Sequence, residues 1–516
     1  MEDKNASRIS GADRDHLSDE SLNHDNTIFG SNAPPRTLKT LEILSAGFNV
    51  CNSWCGVAAT MFLGFLAGGP VTIVYGVIIS FFTVGCCVLS MCELAARYPT
   101  AGGQYHWTYL LAPKSIRRGA SYTTGIVNIF AWLATSASVC VIIPQVALGM
   151  AAYWHPTYVP QRWQSFLIYQ ATNLLVLAYN LLVLRRAPVT HDIGMFFSLA
   201  CFFTFFIACL ARAAPKASTA FVWTTFVNEG SGWPNGVVFL TGLVNPHFMY
   251  IGIDGAVHLA EDALNAASAV PKALIATLVI GFVTAFPFVI AMFYCISDPM
   301  GVVSSPLPIF AIWEQATRSG AGATAMSIFL LITGYFALNA TQQTASRLTW
   351  SFARDNGLIF SRKIATIDDR LGVPVWALFF NAAIVFVMGC IYLGSTTAFN
   401  SIIGTCLIAM QISIAIPVFF LMLGGRDSSV IGAGRGENKW HMGAAGWVVN
   451  AVTIAFTVLI SIFYCFPVAT PVTGSTMNYA VVVLGVFAIL GLVNWFVYAK
   501  RGFQGPRINL ESFAGR

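Results

Sequence analysis

The stretch of sequence that decides the fold is residues 245–258, which read N-P-H-F-M-Y-I-G-I-D-G-A-V-H. The stretch lies in an apolar segment long enough to cross a bilayer, yet Gly252 and Gly255 flank a carboxylate, Asp254. Glycine lets the backbone leave helical geometry, and a carboxylate that faces lipid is costly. The pattern predicts a membrane helix that is interrupted here. Asp254 then either accepts structural hydrogen bonds or faces a route through the protein, and we favour the route.

A second interruption is predicted in the first apolar segment. Asn49, Asn52 and Ser53 occur within five residues, and Trp54 and Gly56 follow. Polar side chains at this depth need protein, water or solute as partners; helix–helix hydrogen bonding is the alternative interpretation. Each interrupted segment is the first helix of a set of five, and the two sets follow one another along the chain. That placement is typical of an inverted-repeat protein in which broken helices meet at the bilayer midplane.

The composition supports a membrane protein along the whole chain. Of 516 residues, 56% are apolar and 10% are charged, whereas soluble domains carry roughly 25% charged residues. The apolar residues fall in runs of about 20, the length that crosses a bilayer. The fold class is therefore an all-α polytopic membrane protein with twelve spans. They cover roughly residues 43–66, 70–93, 119–150, 164–184, 191–211, 237–260, 273–296, 324–346, 374–393, 398–423, 446–466 and 478–499.

The distribution of positive charge predicts the orientation. If the N-terminus is cytoplasmic, only four of the 28 Lys and Arg residues lie outside the cytoplasm, namely Arg162, Arg212, Lys216 and Arg318. Cytoplasmic loops of membrane proteins carry an excess of Lys and Arg. Both termini are therefore predicted to be cytoplasmic. The net charge of +6 then reflects topology and gives no reason to expect nucleic acid as a partner.

The chain divides into three regions. Residues 1–40 are polar and hold no apolar run, which predicts a disordered cytoplasmic tail. Residues 41–500 form the transmembrane domain, and residues 501–516 form a short cytoplasmic tail. The twelve cysteines lie in or beside apolar runs without a Cys/His cluster, so we expect them to pack as small hydrophobic residues. We expect neither a metal nor a cofactor.

Four motifs point to a known family. Residues 93–105 read E-L-A-A-R-Y-P-T-A-G-G-Q-Y and are followed by Trp107. Residues 252–262 read G-I-D-G-A-V-H-L-A-E-D and continue through Asn265 to V-P-K-A at 270–273. Residues 347–358 read R-L-T-W-S-F-A-R-D-N-G-L, and G-G-P stands at 68–70.

In this order, the motifs resemble those of amino acid–polyamine–organocation permeases, and most closely the fungal choline and 4-aminobutyrate permeases of the amino acid/choline branch. The resemblance implies a ten-helix inverted-repeat core plus two helices, and alternating access. It implies a secondary active transporter for a small amine-bearing solute such as an amino acid, 4-aminobutyrate or choline. Carried over by position, it implies two groups of residues. The substrate site would contain Asn52, Ser53, Trp54, Gly56, Tyr250, Gly252 and Asp254, and the cytoplasmic gate motif would contain Glu93, Arg97, Pro99, Gly102 and Gly103.

The coupling ion follows less directly from the sequence. Some relatives use a lysine in the fifth helix as a fixed cation, but residues 191–211 contain none. Asp254 and His258 are candidates for carrying a proton, because both can change charge when desolvated; His258 can also be a packing residue. Thr341 and Thr344 are candidates for sodium ligands. We expect a proton rather than sodium, with membrane lipid as the surrounding solvent.

Other functions remain as alternatives. A nutrient sensor on the same scaffold would keep the pocket without cycling, and a polyamine or specialised-metabolite transporter would differ only in its solute. An enzyme is not expected, because no nucleophile–base pair or H-E-x-x-H motif appears. We expect the protein in the plasma membrane, with the vacuolar or another internal membrane as the alternative.

The topology can be tested with tags. A tag after Arg516 and a tag within residues 1–40 should both be cytoplasmic, and a tag near Lys216 should lie on the other side of the membrane. The measurement is protease accessibility on intact cells. Cleavage at the termini with protection of the Lys216 loop would contradict the orientation.

Overall fold

A computed structural model of the chain describes residues 36–183, 189–427, 440–474 and 476–508. Of the two predicted tails, residues 1–35 and 509–516 lie outside the described residues. In these ranges the structure is helical and contains no β-strand, only two isolated bridges, between Leu38 and Ala263 and between Gly68 and Val227. The predicted all-α class is confirmed.

Eleven helical segments of the described chain are long and apolar enough to cross a membrane. The predicted sixth span is divided into short helices, which is why it does not count among the eleven. We number the helices in chain order. In the numbering given next, α1 and α2 form the first span, and α9, α10 and α11 form the sixth. The helices are α1 Thr40–Cys51, α2 Ser53–Leu66, α3 Gly69–Arg97, α4 Gln104–Leu111, α5 Arg117–Trp154, α6 Arg162–Leu182, α7 Thr190–Arg212, α8 Thr219–Thr224, α9 Asn235–Gly242, α10 Val244–Phe248, α11 Gly255–His258, α12 Ala266–Tyr294, α13 Pro299–Ser304, α14 Pro308–Thr317, α15 Gly320–Arg354, α16 Ser361–Ile364, α17 Val375–Gly394, α18 Thr396–Leu423, α19 Ala445–Phe463, α20 Ala480–Asn494 and α21 Lys500–Gly502.

The spans pack in two groups. The first, second, sixth and seventh spans contact one another, and so do the third, fourth, eighth and ninth. The first group also contacts the fifth span, and the third span also contacts the tenth. The two broken spans therefore belong to one group, and their breaks face the third and eighth spans of the other.

The loops collect at two ends of the bundle, which we call the basic face and the opposite face. The basic face carries residues 98–116, 259–265 and 355–374. The opposite face carries the loops around Arg212 and Arg318: the Arg212 guanidinium donates to the Thr317 carbonyl at 3.0 Å, and Arg318 donates to the Ala214 carbonyl. The four basic residues that the sequence placed outside the cytoplasm all lie at this opposite face.

Both predicted helix breaks are present. The first span is interrupted at Asn52, which has φ 35° and ψ 60°. The sixth span leaves helical geometry between α10 and α11, where Gly252 has φ 71°. The backbone there closes short turns instead, such as Ile253 N–H to the Tyr250 carbonyl and Gly255 N–H to the Gly252 carbonyl. Glycine is needed at 252, because a Cβ there would lie 2.4 Å from Val50 Cγ1.

Replacing Gly252 with alanine should lower the thermal stability of the purified protein. Overpacking of this kind costs about 1–3 kcal/mol, and the left-handed backbone costs alanine about 1–2 kcal/mol more. The matched control is Gly119→Ala in α5, where an added Cβ would meet nothing within 4 Å. That helical alanine should leave the melting temperature unchanged or raise it slightly. An unchanged melting temperature in Gly252→Ala would contradict the strained break.

Candidate transport site

The break in the first span is held by polar contacts to the fifth. Asn52 adopts a left-handed conformation, which asparagine tolerates better than most residues. Its Oδ1 accepts a hydrogen bond from the Ser198 hydroxyl at 2.8 Å. The Ser198 hydroxyl in turn accepts one from the Trp54 indole at 2.9 Å. Ser198 therefore fixes the residues on both sides of the break.

The break in the sixth span packs directly against the first. The Ser53 hydroxyl donates to the Met249 carbonyl at 2.8 Å. A Cβ added to Gly56 would lie 3.5 Å from Met249 Cα, so the two backbones approach closely here. The two breaks meet, as the inverted-repeat interpretation predicts.

A small cavity lies where the breaks meet. Its volume is about 30 Å³, room for a few water molecules. Asn52 and Gly56 line it from the first span, and Phe248 and Ile251 from the sixth. The third and eighth spans contribute only apolar residues, and no Asp, Glu, Lys or Arg is among the described residues that line it.

Two larger spaces adjoin this cavity on the side of the opposite face. One, of about 340 Å³, shares Ala59 and Phe248 with the cavity and extends to Trp233 and Asn478. The other, of about 330 Å³, also begins at Ala59 and extends to Pro306. The protein is therefore wide between the opposite face and the breaks, a shape that admits solute from that face.

Asp254 lies apart from these spaces and does not line them in the described structure. Its side chain is fully buried. Its Oδ2 accepts a hydrogen bond from the Gln104 amide at 2.6 Å and lies 3.1 Å from His258 Nε2 and 3.4 Å from Trp132 Nε1. The carboxylate thus joins the sixth span to the third span and to the start of α4.

Trp54 and Tyr250 are also turned away from the cavity. The Trp54 ring packs against three phenylalanine rings of the fifth and seventh spans, at centroid distances of 5.4 to 6.4 Å. The Tyr250 hydroxyl donates to the Leu278 carbonyl at 3.0 Å. Of the predicted substrate residues, the structure brings Asn52 and Gly56 to the cavity wall. Ser53, Gly252, Trp54, Tyr250 and Asp254 stand behind it, and their contact with a solute stays a prediction.

Residues 98–104 of the gate motif form a tight turn over α11. Gly103 has φ 48°, and a Cβ there would lie 2.6 Å from Val257 Cγ1. A Cβ at Gly102 would lie 2.5 Å from the His106 ring. Pro99 is buried in the same turn. Only glycine fits at 102 and 103, so the turn can sit directly on the sixth span and cover its basic-face end.

Two buried ion pairs close the same end. Arg347 Nε donates to Asp262 Oδ2 at 2.8 Å, and the Arg354 guanidinium donates to both oxygens of Glu261 at 2.7 and 2.9 Å. Burial raises the pKa of Glu261, but the Arg354 guanidinium, together with His106 and the Ala101 N–H, outweighs burial and holds the pKa below its usual value. The carboxylate is therefore ionised, and the pairs join the end of the sixth span to the eighth.

The chain is similar to transporters of known name. A family model described as amino acid permease matches residues 39–487. The choline transporter of Saccharomyces cerevisiae is 36% identical over 467 residues, which are 90% of this chain and 81% of the yeast protein. The 7-keto 8-aminopelargonic acid transporter of the same yeast is 29% identical, over 88% of this chain and 90% of that protein. A swainsonine transporter of Arthroderma benhamiae is 30% identical, over 90% and 91%.

The chain belongs to the amino acid permease family. The family predicted from the four motifs is thereby confirmed, and the chain is a multi-pass integral membrane permease and not an enzyme. The permease's motifs can now be placed by the contacts they make.

Glu93 of the gate motif holds the second span to two distant helices of the permease. Its carboxylate accepts hydrogen bonds from Arg426, after α18, at 2.8 and 2.9 Å. It also lies 3.2 Å from His441 Nδ1 and accepts the Met442 N–H at 3.1 Å, both just before α19. Arg97, at the end of the same helix, lies beside the Tyr98 hydroxyl. Neither residue lines the cavity in the described structure, and their part in the gate stays a prediction.

Thr341 and Thr344 make ordinary helical contacts. Their hydroxyls donate to the carbonyls of Ala337 and Ala340 at 2.7 and 2.9 Å, within α15. Such bonds satisfy the hydroxyl hydrogens and use neither of the two acceptor lone pairs on each oxygen. Coordination of sodium by the Thr341 and Thr344 oxygens therefore stays a prediction.

Sequence reasoning did not assign four residues that the structure brings to the site. Gln104 and Trp132 contact Asp254, Asn128 lies 3.3 Å from His258 Nε2, and Ser198 holds the first break. Gln104 falls inside the gate motif, and Asn128 is a polar residue in an apolar span, so both carried a usable signal. Trp132 and Ser198 did not, because tryptophan and serine are common in membrane helices.

Replacing Arg347 with glutamine should open the basic face more often. The change leaves Asp262 without its cation, and a charged hydrogen bond contributes about 1.5–3 kcal/mol. The open population should therefore rise about ten- to hundredfold. The readout is the rate at which a maleimide alkylates a cysteine placed at Ala260, which is buried between the two ion pairs and the sixth span.

The control is Arg370→Gln, which removes an exposed cation from the same face and should leave the rate at the Ala260→Cys reporter unchanged. The double variant Arg347→Gln/Asp262→Asn removes both charges, so part of the increase should be reversed. An unchanged rate in Arg347→Gln would show that the ion pair does not hold the face closed.

Proposed function

We propose that the protein is a secondary transporter that moves a small amine-bearing solute by alternating access, and that choline is the first solute to test. The observation that carries the proposal is a small cavity between two helix breaks, which adjoins a wider space toward the opposite face and is covered on the basic face by the gate motif and two ion pairs. A permease that is wide toward one face and covered at the other fits one of the two states that alternating access requires.

The cavity wall favours a particular way of binding a cation. No carboxylate lines the cavity in the described structure, so a positive charge would be balanced by backbone carbonyls and aromatic rings. The carbonyls at the end of α1 carry the negative end of a helix dipole, and Phe248 is the aromatic residue that lines the wall. A quaternary amine has no N–H to donate and binds through these groups.

An amino acid or 4-aminobutyrate would use the same break differently. Its carboxylate would need hydrogen-bond donors, and the first amides of α2, at Ser53 to Cys55, have no helical partner. Its amine would use the α1 carbonyls. The yeast choline transporter is the relative with the higher identity among those compared above, which is why choline comes first and the zwitterions second.

Orientation and energy source complete the proposal. With the basic face in the cytoplasm, as the Lys/Arg distribution favours, the structure is open to the outside and the solute would be taken up. Both termini are then cytoplasmic. We place the protein in the plasma membrane, with an internal membrane as the alternative. We expect coupling to protons rather than sodium. Replacing sodium with potassium should leave uptake unchanged, and collapsing the proton gradient should abolish accumulation.

Uptake of a labelled panel by permease-deficient yeast cells tests the substrate. The panel is choline, 4-aminobutyrate, neutral and basic amino acids, and spermidine. Saturable uptake of choline is the expected result. Uptake of 4-aminobutyrate without choline would revise the substrate and keep the transporter; no uptake of any member above that of cells with empty vector would contradict the proposal and leave the sensor alternative.

Replacing Phe248 with leucine tests the binding mode. The leucine keeps the wall apolar and removes the aromatic face, and a cation–π contact contributes about 0.5–2 kcal/mol. The KM for choline should rise about two- to thirtyfold, with little change in maximal rate. The control is Phe203→Leu, on the exposed surface of the fifth span, which should leave both constants unchanged. An unchanged KM in Phe248→Leu would remove this ring from the site.

A further inference from the structure

Asp254 and His258 face each other one helical turn apart. Asp254 Oδ2 and His258 Nε2 are 3.1 Å apart, and both side chains are completely buried. Neither residue lines the cavity or the larger spaces of the described structure. The pair is thus enclosed in the conformation that is open toward the opposite face.

The hydrogen bonds around the histidine determine how many protons the pair holds. His258 Nδ1 lies 2.8 Å from the Ala101 carbonyl, and because a carbonyl only accepts, Nδ1 carries a hydrogen. Nε2 and Asp254 Oδ2 then meet at 3.1 Å. With a bare Nε2 and an ionised carboxylate, two lone pairs would face each other. Asn128 Nδ2 lies 3.3 Å from the same Nε2, but a neutral amide cannot neutralise the buried carboxylate. One further proton between Nε2 and Oδ2, on either atom, removes both the repulsion and the uncompensated charge, and the loaded pair then has no net charge.

No other charge is in position to replace that proton. The groups that face the pair are Gln104 of α4, Asn128 and Trp132 of the third span, Cys51 of the first span and, across Gly255, Thr344 of the eighth. Among these described neighbours only Cys51 carries an ionisable group, and none is a cation. Loss of the proton would leave a negative charge buried in the membrane without a partner, which is strongly unfavourable.

Gln104 and Ala101 link the proton to the gate. Both belong to the turn of residues 98–104, which covers the basic-face end of the sixth span. The same turn is joined to an ion pair of that face, because the Ala101 N–H donates to Glu261 Oε1 at 3.1 Å and Glu261 is paired with Arg354. If the basic face opens, the turn withdraws and the pair loses both its enclosure and the Gln104 donor.

We propose that Asp254 and His258 together form the proton site of this permease, loaded with one proton while the basic face is closed and emptied when residues 98–104 withdraw. This inference rests on the proposed transport function. On opening, the shared proton passes to water, and Asp254 remains as a carboxylate beside a neutral imidazole, both now hydrated. Proton binding and closure of the basic face are then linked: each favours the other.

The first test measures proton movement together with solute flux. Purified protein is reconstituted in vesicles that contain a pH-sensitive dye, and a labelled solute from the panel is added. The unmodified protein should move protons with the solute. Asp254→Asn keeps the size of the side chain, and an amide nitrogen at the Oδ2 position can donate to His258 Nε2, while Gln104, whose Oε1 has no partner, can turn its amide to accept. The asparagine has no proton to release, so any remaining solute flux should move no protons and should not depend on pH.

The second test needs no solute and therefore separates this inference from the proposed function. The alkylation rate of the Ala260→Cys reporter is measured from pH 5 to pH 9 and divided by the rate at an exposed reporter, Asp369→Cys, to correct for thiol ionisation. The corrected rate should rise with pH by up to about tenfold per unit, the slope for one proton. In Asp254→Asn the slope should vanish. The control is Asp369→Asn. Position 369 cannot then carry the exposed reporter, so Arg370→Cys supplies the correction, and the slope at the Ala260→Cys reporter should remain.

The outcomes distinguish the two proposals. If no solute moves but the reporter slope depends on Asp254, the transport proposal fails and the proton site stands. If solute and protons move equally in Asp254→Asn, or if its reporter slope equals that of the unmodified protein, the proton site is overturned. Should Asp254→Asn fail to fold, His258→Gln provides the same test: the pH at which the reporter rate changes should move, and an unmoved value would overturn the pair.

Discussion

Backbone polar groups at two helix breaks must find partners inside a membrane, and this constraint governs the rest of the structure. Lipid offers no hydrogen bonds, so non-helical backbone is tolerated only where it is buried in protein or lines an aqueous space. The breaks at Asn52 and at residues 249–254 meet both conditions. They pack on each other through Ser53 and Met249, and the remaining edge lines the cavity.

The placement of charge follows from the same constraint. The cavity wall is uncharged among the described residues, whereas the acids and bases of the broken region lie between the breaks and the basic face, where they can pair with one another. Asp254 is the exception, because within the described chain its ion-pair partner is His258 and no arginine or lysine pairs with it. Its neighbours are a histidine and neutral donors, and this shortage of cations makes a proton the natural partner. In the account that we propose, the solute lies at the meeting point of the breaks and the proton lies between that point and the basic face.

The fold could be predicted closely from the sequence, because a segment of this kind crosses a bilayer as an apolar helix of about 20 residues. Eleven of the twelve predicted spans are long apolar helical segments, the first of them with its break at Asn52, and the sixth is broken at the glycines that flank Asp254. The side-chain partners were less predictable. Glu93 pairs with Arg426, more than 300 residues away, and no local pattern encodes such a pairing.

The direction in which side chains point around the first break could not be predicted from the sequence, for a related reason. Trp54 follows Asn52 by two residues, yet the left-handed turn at Asn52 rotates the next helix and points the indole toward Ser198, away from the cavity. A composition argument selects aromatic and acidic residues near a break, but the backbone geometry of the break decides which of them face the solute. Phe248, which lines the cavity, stood in the quoted stretch without a distinguishing feature.

A cryo-EM structure of the protein with its transported solute tests the central claim most directly, that the meeting point of the two breaks is the solute site. The account predicts density for the solute between the break at Asn52 and the Phe248 ring, with the small cavity enlarged to hold it and the ion pairs of the basic face intact. Density confined to the wider space beside Trp233 and Asn478, with the cavity at Asn52 still closed, would contradict it.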